Sequence, residues 1–495
     1  MVDVGFEGAE RQFTGVVEKY KAPSALWFEA VEAELGPDGR ELTRQILQGH
    51  VNSRGRGDIG PALVTADGAI LTHRRLIKRS LQTMFGEISV ERIGYSLPDY
   101  PVVFPLDAVF NLPASSFSAG IQRFLARRVS ATSFEEVLDL VREVTGVVIS
   151  KPTALDIVHR CAVDFDLFYD ATEEQGGGRE PILVLTTDGK GIVMRPEGLR
   201  EGTRERAKKA TPTMKTRLAP GEKSNRKRMA QVASTYFIKR FVRTPKEIVD
   251  ELARREAAKR RPRPSNKRVW ASVEKDANDV IKAMFEEAHK RDPKHKKAWV
   301  ILVDGNKPQL RLVRSLAKKE GVEAAIILDI IHVIEYLWDA ARLFNAEKDH
   351  VGCERWVEEQ LTRVLNGHAG RVAGTIRMQA AKRKLTKAGA KTAKACARYI
   401  AGHKPYMNYA AYMKQGFPIA TGVIEGACRH LIKDRMDVTG ARWSLDGAES
   451  VLKLRSLVSS GDFDDYWTFH RQQEHERNHL SKIGDLAQLQ LLKPS

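Results

Sequence analysis

The sequence predicts an α/β protein: a mixed-sheet core interrupted by an all-helical insertion and preceded by an α+β and helical N-terminal region. Three features predict this class. Two apolar runs typical of buried strands, ILVLTTDG and AWVILVDG, end in Asp-Gly at 188–189 and 304–305. Residues 345–415 show helical periodicity without a strand pattern. The helical stretch at 421–443 then completes the core.

Composition limits the class of protein and its partners. A chain of 495 residues with 42% apolar side chains can form two to four domains with real cores. Its net charge of +18 favours a polyanionic partner, with nucleic acid ahead of an anionic membrane. No apolar run approaches the ~20 residues of a membrane span, so we expect a soluble cytoplasmic protein without a membrane partner. The 4 cysteines are widely spaced, which favours buried free thiols over zinc sites or disulfides.

The N-terminal third contains two predicted regions. Residues 1–113 include a β-hairpin that turns at 85–87, where runs of alternating polarity meet. Residues 114–170 are helical, and Ser133 and Ser150 are predicted to cap successive helices. Two helices joined by a short turn fit a DNA-binding helix-turn-helix, although a helical hairpin that only packs would show the same pattern.

A Gly-rich linker at 171–180 precedes the first part of the core, which we place at 180–344. Its first strand, PILVLTTDG, is followed by GIVMRP as a predicted hairpin partner and by RMAQVASTYFIKRF as a third strand. A helix is predicted to include Trp270, and strand, helix, strand and helix then follow in turn.

Three consecutive strands followed by alternating helix and strand is the order of an RNase H-like fold, which has a mixed sheet with helices on both faces. That order requires one final helix. With 345–415 assigned to a helical insertion, we assign the final helix to GVIEGACRHLIKDRM within 416–495, a segment that also holds the C-terminal helices.

Asp188, Asp304 and Glu425 are the candidate catalytic and metal-binding residues. Phosphodiester chemistry uses two divalent cations, about 3.5–4 Å apart, that are held mainly by carboxylates. The sequence therefore predicts two Mg²⁺ ions, which Mn²⁺ could replace. Each Asp-Gly could instead be a plain turn after a strand. Glu425 could form a surface salt bridge with Arg429, four residues later on the helix.

Asp329 and His332 form an Asp-x-x-His pattern at the end of the next strand, where they could assist catalysis. Equally, Asp329 could cap the following helix while His332 packs in its first turn. Trp443 could stack on an unpaired base, or it could belong to the core. Residues 201–228 are predicted as a solvated loop. Its basic run at 204–228, a second basic run at 254–268 and the segment after Glu425 supply candidate DNA contacts. These are Arg226, Lys227, Arg228, Arg260, Arg261, Arg429, Lys433 and Arg442, and solvated charged loops would explain the two runs as well.

Four blocks of the chain together resemble insertion-sequence transposases of the Kra and Lre groups, distant relatives of Mutator-type transposases. The longest block is YMKQGFPIATGVIEGACRHLIKDRMDVTGARWSLDGAESVLKLRSL at 412–457. The others are VLTTDGKG, ILVDGNKPQ and LDIIHVIEYLW. In the N-terminal region, TMFGEISVERIGY and PLDAVFNLP also match, but this chain lacks the paired cysteines that some relatives carry there.

The resemblance implies a DDE transposase with an RNase H-like catalytic core, in which Asp188, Asp304 and Glu425 form the triad. Asp329 and His332 match the Asp/Cys-x-x-His motif of the wider superfamily. The resemblance further implies that the helical insertion helps hold transposon ends. Double-stranded DNA would be the partner, both as transposon ends and as target, and the protein would associate with the nucleoid when bound.

The sequence therefore predicts a Mg²⁺-dependent enzyme that cleaves transposon ends and joins the 3′-OH to target DNA. Pairing two ends implies a homo-oligomer. A metal-dependent nuclease without joining activity is the alternative on the same fold. A domesticated DNA-binding protein with an inactive core is another, although all three carboxylates are present. A basic RNA-binding protein would leave the two Asp-Gly strands unexplained.

Overall fold

The computed structural model describes residues 5–21, 27–172, 180–209, 225–253, 255, 260–346, 348–438, 440–484 and 489. The chain forms two compact units. One contains Met1–Ala171 together with Gly461–Ser495, and the other contains Thr172–Ser460. The C-terminal segment therefore groups with the N-terminal region, whereas the sequence interpretation placed it with the core in 416–495. The predicted linker at 171–180 lies largely outside the described residues.

The N-terminal part of the first unit begins with two helices, followed by strands and shorter helices. These are α1 (Glu7–Lys21), α2 (Phe28–Ser53), β1 (Leu63–Val64), β2 (Ile70–Leu71), β3 (His73–Thr83), β4 (Gly86–Ser96), α3 (Pro105–Phe110), α4 (Ala119–Val129), α5 (Phe134–Thr145), α6 (Lys151–Cys161) and α7 (Phe165–Ala171). Strands β3 and β4 pair antiparallel from His73↔Ser96 to Thr83↔Gly86. Ser133 and Ser150 cap α5 and α6 through their side-chain oxygens, as the sequence indicated.

The second unit is built on a mixed five-stranded sheet in the order β7-β6-β5-β8-β9. Strand β5 pairs antiparallel with β6 and parallel with β8, a topology compatible with an RNase H-like core. The elements up to the insertion are β5 (Ile182–Val193), α8 (Glu201–Lys209), β6 (Lys227–Ile238), α9 (Pro245–Leu252), β7 (Ser265–Ser272), α10 (Ala277–Arg291), β8 (Ala298–Val303), α11 (Lys307–Lys319), β9 (Ala324–Leu328) and α12 (Ile330–Phe344).

PILVLTTDG and RMAQVASTYFIKRF are confirmed as strands and form β5 and β6, but GIVMRP was wrongly predicted as a separate strand and the third strand of the sheet was missed. GIVMRP is no hairpin partner, because β5 continues through Asp188 and Gly189 to Val193. The third strand is β7, where a helix was predicted to include Trp270. Its apolar residues at 269–271 lie in the ladder against β6, and α10 begins only at Ala277. Residues 201–209, predicted as loop, form α8, and residues 210–224 lie outside the described residues.

After α12, every regular element among the described residues is helical. These are α13 (His350–Leu365), α14 (Ala369–Lys382), α15 (Lys387–His403), α16 (Tyr409–Lys414), α17 (Gly422–Ala427), α18 (Asp434–Met436), α19 (Leu445–Ser460) and α20 (Phe463–Asn478). A single π-helical segment, Cys428–Lys433, joins α17 to α18. No described helix is both long and apolar enough to cross a membrane.

The core of the second unit runs from the sheet into the helical insertion. Val184 and Leu302 from the sheet belong to the same buried cluster as Leu337 of α12 and Ile376 and Ile400 of the insertion. Because these side chains exclude water together, the insertion is packed onto the sheet as part of one core. This packing places the insertion beside the ends of β8 and β9.

Candidate active site

Asp188 lies within β5 and not at its end, which corrects the sequence expectation. It pairs with Val232 of β6 in the antiparallel ladder. On the other side, parallel pairing with β8 stops at Thr186↔Leu302. Asp188 therefore lies past the last residue pair between β5 and β8. Asp304 follows the end of β8 directly, so both aspartates lie at the same end of these two strands. Its carboxylate is half-buried and accepts a hydrogen bond of 2.6 Å from the backbone N–H of Gly189.

Asp304 directly follows β8 and is held in a tight turn. Its Oδ1 accepts a 2.7 Å hydrogen bond from the N–H of Asn306, and Gly305 adopts a positive φ of 88°. The pKa of Asp304 is raised, mainly by burial and further by the negative charge of Asp188, although the Asn306 N–H opposes this. The two aspartates predicted to act together thus interact electrostatically.

Glu425 lies on α17 and faces the same charge cluster. Burial raises the pKa of Glu425 most, and the charges of Asp329, Glu335 and Asp188 raise it further. One turn later, the thiol of Cys428 lies 3.1 Å from Oδ2 of Asp188 and is placed to donate a hydrogen bond to it. The final helix therefore contacts β5 at Asp188, and the charge of Asp188 acts on Glu425.

The salt bridge considered for Glu425 is not formed among the described residues. Arg429 instead has its Nε 3.7 Å from Oδ1 of Asp434. The cause is local, because the π-helical segment begins at Cys428 and widens the turn. Arg429 and Lys433 both lie in this segment, so the spacing of four residues after Glu425 no longer follows α-helical geometry. Single π-helical turns within α-helices are frequent at functional sites.

The three carboxylates do not form a closed metal site. Within the part of the chain that the structure describes, no group of three or more His, Cys, Asp or Glu side chains is placed to hold a metal ion. Their chemistry still suits a hard divalent cation, since oxygen ligands are what Mg²⁺ prefers. A bound divalent cation would also offset the negative charge of Asp188, which raises the pKa of Asp304 and of Glu425 in addition to the larger effect of burial. Metal binding therefore stays a prediction.

Asp329 is fully buried and serves as a structural hub. It accepts a 2.8 Å hydrogen bond from the N–H of Ile331, which caps α12, and another from the hydroxyl of Thr421. The pKa of Asp329 is raised by burial, which outweighs these hydrogen bonds. Asp329 therefore caps α12, which is one of the two roles considered from the sequence. Its hydrogen bond with Thr421 also links α12 to the start of α17, the helix that carries Glu425.

His332 lies in the first turn of α12, with Nδ1 2.9 Å from Oε2 of Glu335. Burial would lower the pKa of His332, but the Glu335 hydrogen bond and the charges of Asp329 and Glu335 outweigh it and raise the pKa. Its positive charge in turn lowers the pKa of Glu425 and of Asp304. His332 is thus part of the carboxylate cluster.

Two tyrosines of the insertion hold the strand ends that carry the site, and sequence reasoning missed both. The Tyr399 hydroxyl donates a 2.8 Å hydrogen bond to the carbonyl of Asp304, and Tyr409 donates one of 2.8 Å to Leu328. The ring of Tyr399 also stacks on Tyr336, with centroids 3.9 Å apart. No local pattern could identify them, because these contacts span 95 and 81 residues.

Trp443 is a core residue, so the prediction that it stacks on a base is wrong for this structure. Its side chain is buried, its Nε1 donates a 3.0 Å hydrogen bond to the carbonyl of Met436, and the guanidinium of Arg435 lies 4.9 Å from its ring. Arg429, Lys433 and Arg442 are exposed and accessible to a ligand.

The other predicted DNA contacts divide between exposed and structural positions. Arg226, Lys227, Arg260 and Arg261 are all exposed, and two of them form ion pairs, Lys227 with Asp437 at 3.0 Å and Arg261 with Glu251. Arg228 is half-buried and donates to the carbonyls of Val273 and Gly198 at 2.7 and 3.1 Å. These bonds join β6 to neighbouring loops, so Arg228 acts in the fold and not as a free phosphate contact. Residues 254 and 256–259 of the second basic run lie outside the described residues.

An apolar cavity of about 400 Å³ adjoins Glu425. Its walls include Ile331, Phe417 and Val423, and Arg243 and Arg261 also line it. Apolar walls on one side of a carboxylate disfavour its charged form, so they raise the pKa of Glu425 even though this residue stays exposed to solvent.

Comparison with known proteins adds little to this geometry. No protein-family model matches the chain, and no protein of curated function matches it in sequence. Among solved structures, the chain is similar to the Drosophila P element transposase strand transfer complex, with 9% identity and a TM-score of 0.23, over 76% of this chain and 84% of that one. A TM-score this low does not indicate a shared fold, so the site itself must carry the functional argument.

Proposed function

We propose that this chain is a DNA transposase that cleaves DNA at transposon ends and joins the freed 3′-OH to target DNA. One arrangement carries the proposal: Asp188 on β5 and Asp304 after the parallel strand β8 lie at the same end of the sheet, and Cys428, three residues after Glu425, lies 3.1 Å from Asp188. The four sequence blocks that resemble Kra and Lre insertion-sequence transposases support the same triad. A transposase of this kind would act on paired DNA ends as a homo-oligomer.

Asp188, Asp304 and Glu425 would hold Mg²⁺ or Mn²⁺. When bound, the divalent ions would lower the pKa of the attacking water or hydroxyl and stabilise the leaving oxygen. Asp188 and Asp304 lie on or directly after strands of the sheet, which limits their movement. In this proposal, His332 carries a positive charge beside the carboxylates and can donate a proton to a phosphate-bound oxygen.

The test is a strand-transfer assay with DNA that carries the element's own ends. Asp188→Asn and Glu425→Gln should each lower cleavage and joining by a factor on the order of 10² or more, because each removes a charged ligand while keeping the side-chain size. DNA binding should persist in both variants. Glu354→Gln is the matched control, since Glu354 is an exposed acid of α13 outside the proposed site, and this variant should remain active.

The assay also separates the alternatives. Metal-dependent cleavage without joined product would assign the chain to nucleases. DNA binding with no metal-dependent turnover in the unmodified protein would identify an inactive DNA-binding derivative. Full activity of Asp188→Asn or Glu425→Gln would refute the proposed triad.

A further inference from the structure

A second cavity of about 400 Å³ lies in the unit formed by Met1–Ala171 and Gly461–Ser495. Most of the ionisable side chains that line this cavity are basic. Its ionisable lining residues are Lys78, Arg79, Arg92, Asp107, His479 and Lys482. Cations therefore outnumber acids around it, and none of these residues is used in the proposed reaction.

Two arginines in this cavity share one carboxylate. Arg92 is only 8% exposed and pairs with Asp107, while Nη1 of Arg79 lies 3.6 Å from the same Oδ2 atom. One carboxylate neutralises one guanidinium, so the buried group keeps a net positive charge before the two lysines are counted. A buried charge without a partner is costly, which favours binding of an anion there.

Arg92 also keeps an unused hydrogen-bond donor. Its Nε is buried without an acceptor among the described residues. The Phe104 ring lies 3.7 Å from the guanidinium carbon and fixes the plane of the group. Arg79 is held as well, because its Nη2 donates to the carbonyls of Pro113, at 2.6 Å, and Ser115. The arginines are therefore placed in advance of any ligand.

The electrostatics of neighbouring groups agree with an excess of positive charge. The pKa of Arg92 is lowered to about 10, first by burial and then by the charge of Arg79. The pKa of His479 is lowered to about 4, first by burial and then by the charges of His475, Lys482 and Arg471, although its contact with the Leu112 carbonyl opposes this. His479 is thus neutral at pH 7, and Lys78 and Lys482 carry the charge at the rim.

We propose that this cavity is a binding site for a phosphate-type oxyanion. Arg92 and Arg79 form its floor, and Lys78 and Lys482 form its rim. Planar guanidinium groups match the oxygen geometry of phosphate, and charge-assisted hydrogen bonds are about twice as strong as neutral ones. The anion could be a phosphodiester of DNA or free phosphate. Only the DNA source rests on the proposed transposase function.

The first experiment measures thermal unfolding of the full chain in sodium phosphate and in sodium chloride at equal ionic strength. Phosphate stabilises proteins in general, so the criterion is how much the phosphate-induced rise in unfolding temperature differs between variants. We expect Lys78→Ala/Lys482→Ala to lower phosphate affinity by about tenfold or more, since each lysine supplies a charge-assisted contact. Both side chains are exposed, which avoids the unfolding that substitution of buried Arg92 risks.

Arg11→Ala/Arg75→Ala is the matched control, because it removes two exposed cations of the same unit that do not line the cavity. It should respond to phosphate as the unmodified protein does. An equal phosphate response in the control and in Lys78→Ala/Lys482→Ala would overturn the proposal.

The second experiment identifies the source of the anion through the salt dependence of DNA binding. If a DNA phosphate occupies the cavity, Lys78→Ala/Lys482→Ala should reduce the log–log salt slope by about 0.9 relative to the control pair. Phosphate-dependent stabilisation with an unchanged slope would assign the site to free phosphate. Asp188 does not line this cavity, so the strand-transfer assay on Asp188→Asn tests the proposed catalytic function separately, and failure of that function and failure of this site are distinguishable.

Discussion

At the scale of single residues, the candidate site depends on partners that are distant in sequence. Tyr399 holds the carbonyl of Asp304, Thr421 holds the carboxylate of Asp329, and Cys428 contacts Asp188. Burial raises the pKa of Tyr399 and of Cys428, so both groups stay protonated as donors at neutral pH. Neutral donors therefore contact the carboxylates of Asp329 and Asp188 and the backbone of Asp304 without adding charge to the cluster.

Tyr399→Phe should lower catalytic activity with little loss of stability. The substituted ring keeps the stack on Tyr336, but the hydrogen bond to the Asp304 carbonyl is lost. One such bond contributes about 1 kcal/mol, whereas a shift of a reacting group by ~1 Å can cost about 10²-fold in rate. We expect activity to fall by about tenfold or more, measured as initial cleavage rate alongside the unfolding temperature.

Tyr412→Phe is the control for this prediction. Tyr412 is a half-buried tyrosine of the same insertion, and its hydroxyl forms no hydrogen bond with any of the described residues. Its loss of a hydroxyl should leave the rate unchanged. Equal rates for the two variants would show that the Tyr399 hydroxyl does not position Asp304.

At the scale of secondary-structure elements, α20 is joined to α6 and α7 by buried polar contacts. Tyr466 donates a 2.7 Å hydrogen bond to the carbonyl of Cys161 at the end of α6. In the turn that follows, Asp164 is 2.7 Å from Nδ1 of His470 and accepts hydrogen bonds from Arg477. Tyr466, Asp164 and His470 are buried, whereas Arg477 is exposed. Loss of these contacts therefore leaves buried polar groups without partners and destabilises the helices that carry them.

Asp164→Asn should destabilise the first unit in a pH-dependent way. Burial favours a higher pKa for Asp164, but hydrogen bonds from His470 and Arg477 outweigh it and lower the pKa. A lowered folded-state pKa gives stability that is present above the ordinary aspartate pKa and lost as pH falls through the folded value. Breaking a buried pair costs about 3–5 kcal/mol, so we expect a loss of that size at pH 7.

Chemical unfolding at pH 7 and at successive values below about 4 measures this effect. The difference in free energy of unfolding between the variant and the unmodified protein should become smaller as pH falls. Asp139→Asn removes an exposed carboxylate of the same unit and should change stability by only about 0.5 kcal/mol or less. A difference in free energy of unfolding that does not change with pH would contradict an ionic role for Asp164.

At the scale of the whole molecule, one unit is continuous in sequence and the other is not. The sheet unit spans Thr172–Ser460, whereas the first unit needs both ends of the chain. In the first unit, Phe168 of α7 lies edge-on to Tyr466 and Phe469 of α20, with centroids 5.6 Å apart in each pair. Integrity of this unit therefore depends on residues after 460.

Truncation after Ser460 should unfold the first unit and spare the sheet unit. Removal of α20 exposes the aromatic face of α7 and removes both partners of Asp164. Hydrogen exchange should show loss of protection in α4–α7, with β5 and β8 still protected. Truncation after Leu489 is the control and should retain protection throughout. Unchanged protection in α6 after the longer truncation would show that α20 is dispensable.

Local sequence signals predicted much of the fold because the forces behind them are local. Capping by Ser133 and Ser150, the hairpin turn near Gly86 and the all-helical character of 345–415 depend on neighbouring residues alone. The same signals failed at β7, where apolar residues near Trp270 also fit a helical spacing. They failed at Arg228 and Trp443 too, because burial depends on what the rest of the chain places nearby.

The sequence by itself determined which residues could form a site: Asp188, Asp304 and Glu425 follow from residue type, element order and resemblance. Only the tertiary structure decided how they are held. Asp188 lies inside β5, past its last residue pair with β8. A π-helical segment follows α17, the helix that carries Glu425. Tyr399 of the helical insertion donates a hydrogen bond to the carbonyl of Asp304. The reason is physical, because hydrogen bonds, burial and charge act through space, and pairs such as Asp188 and Cys428 are 240 residues apart.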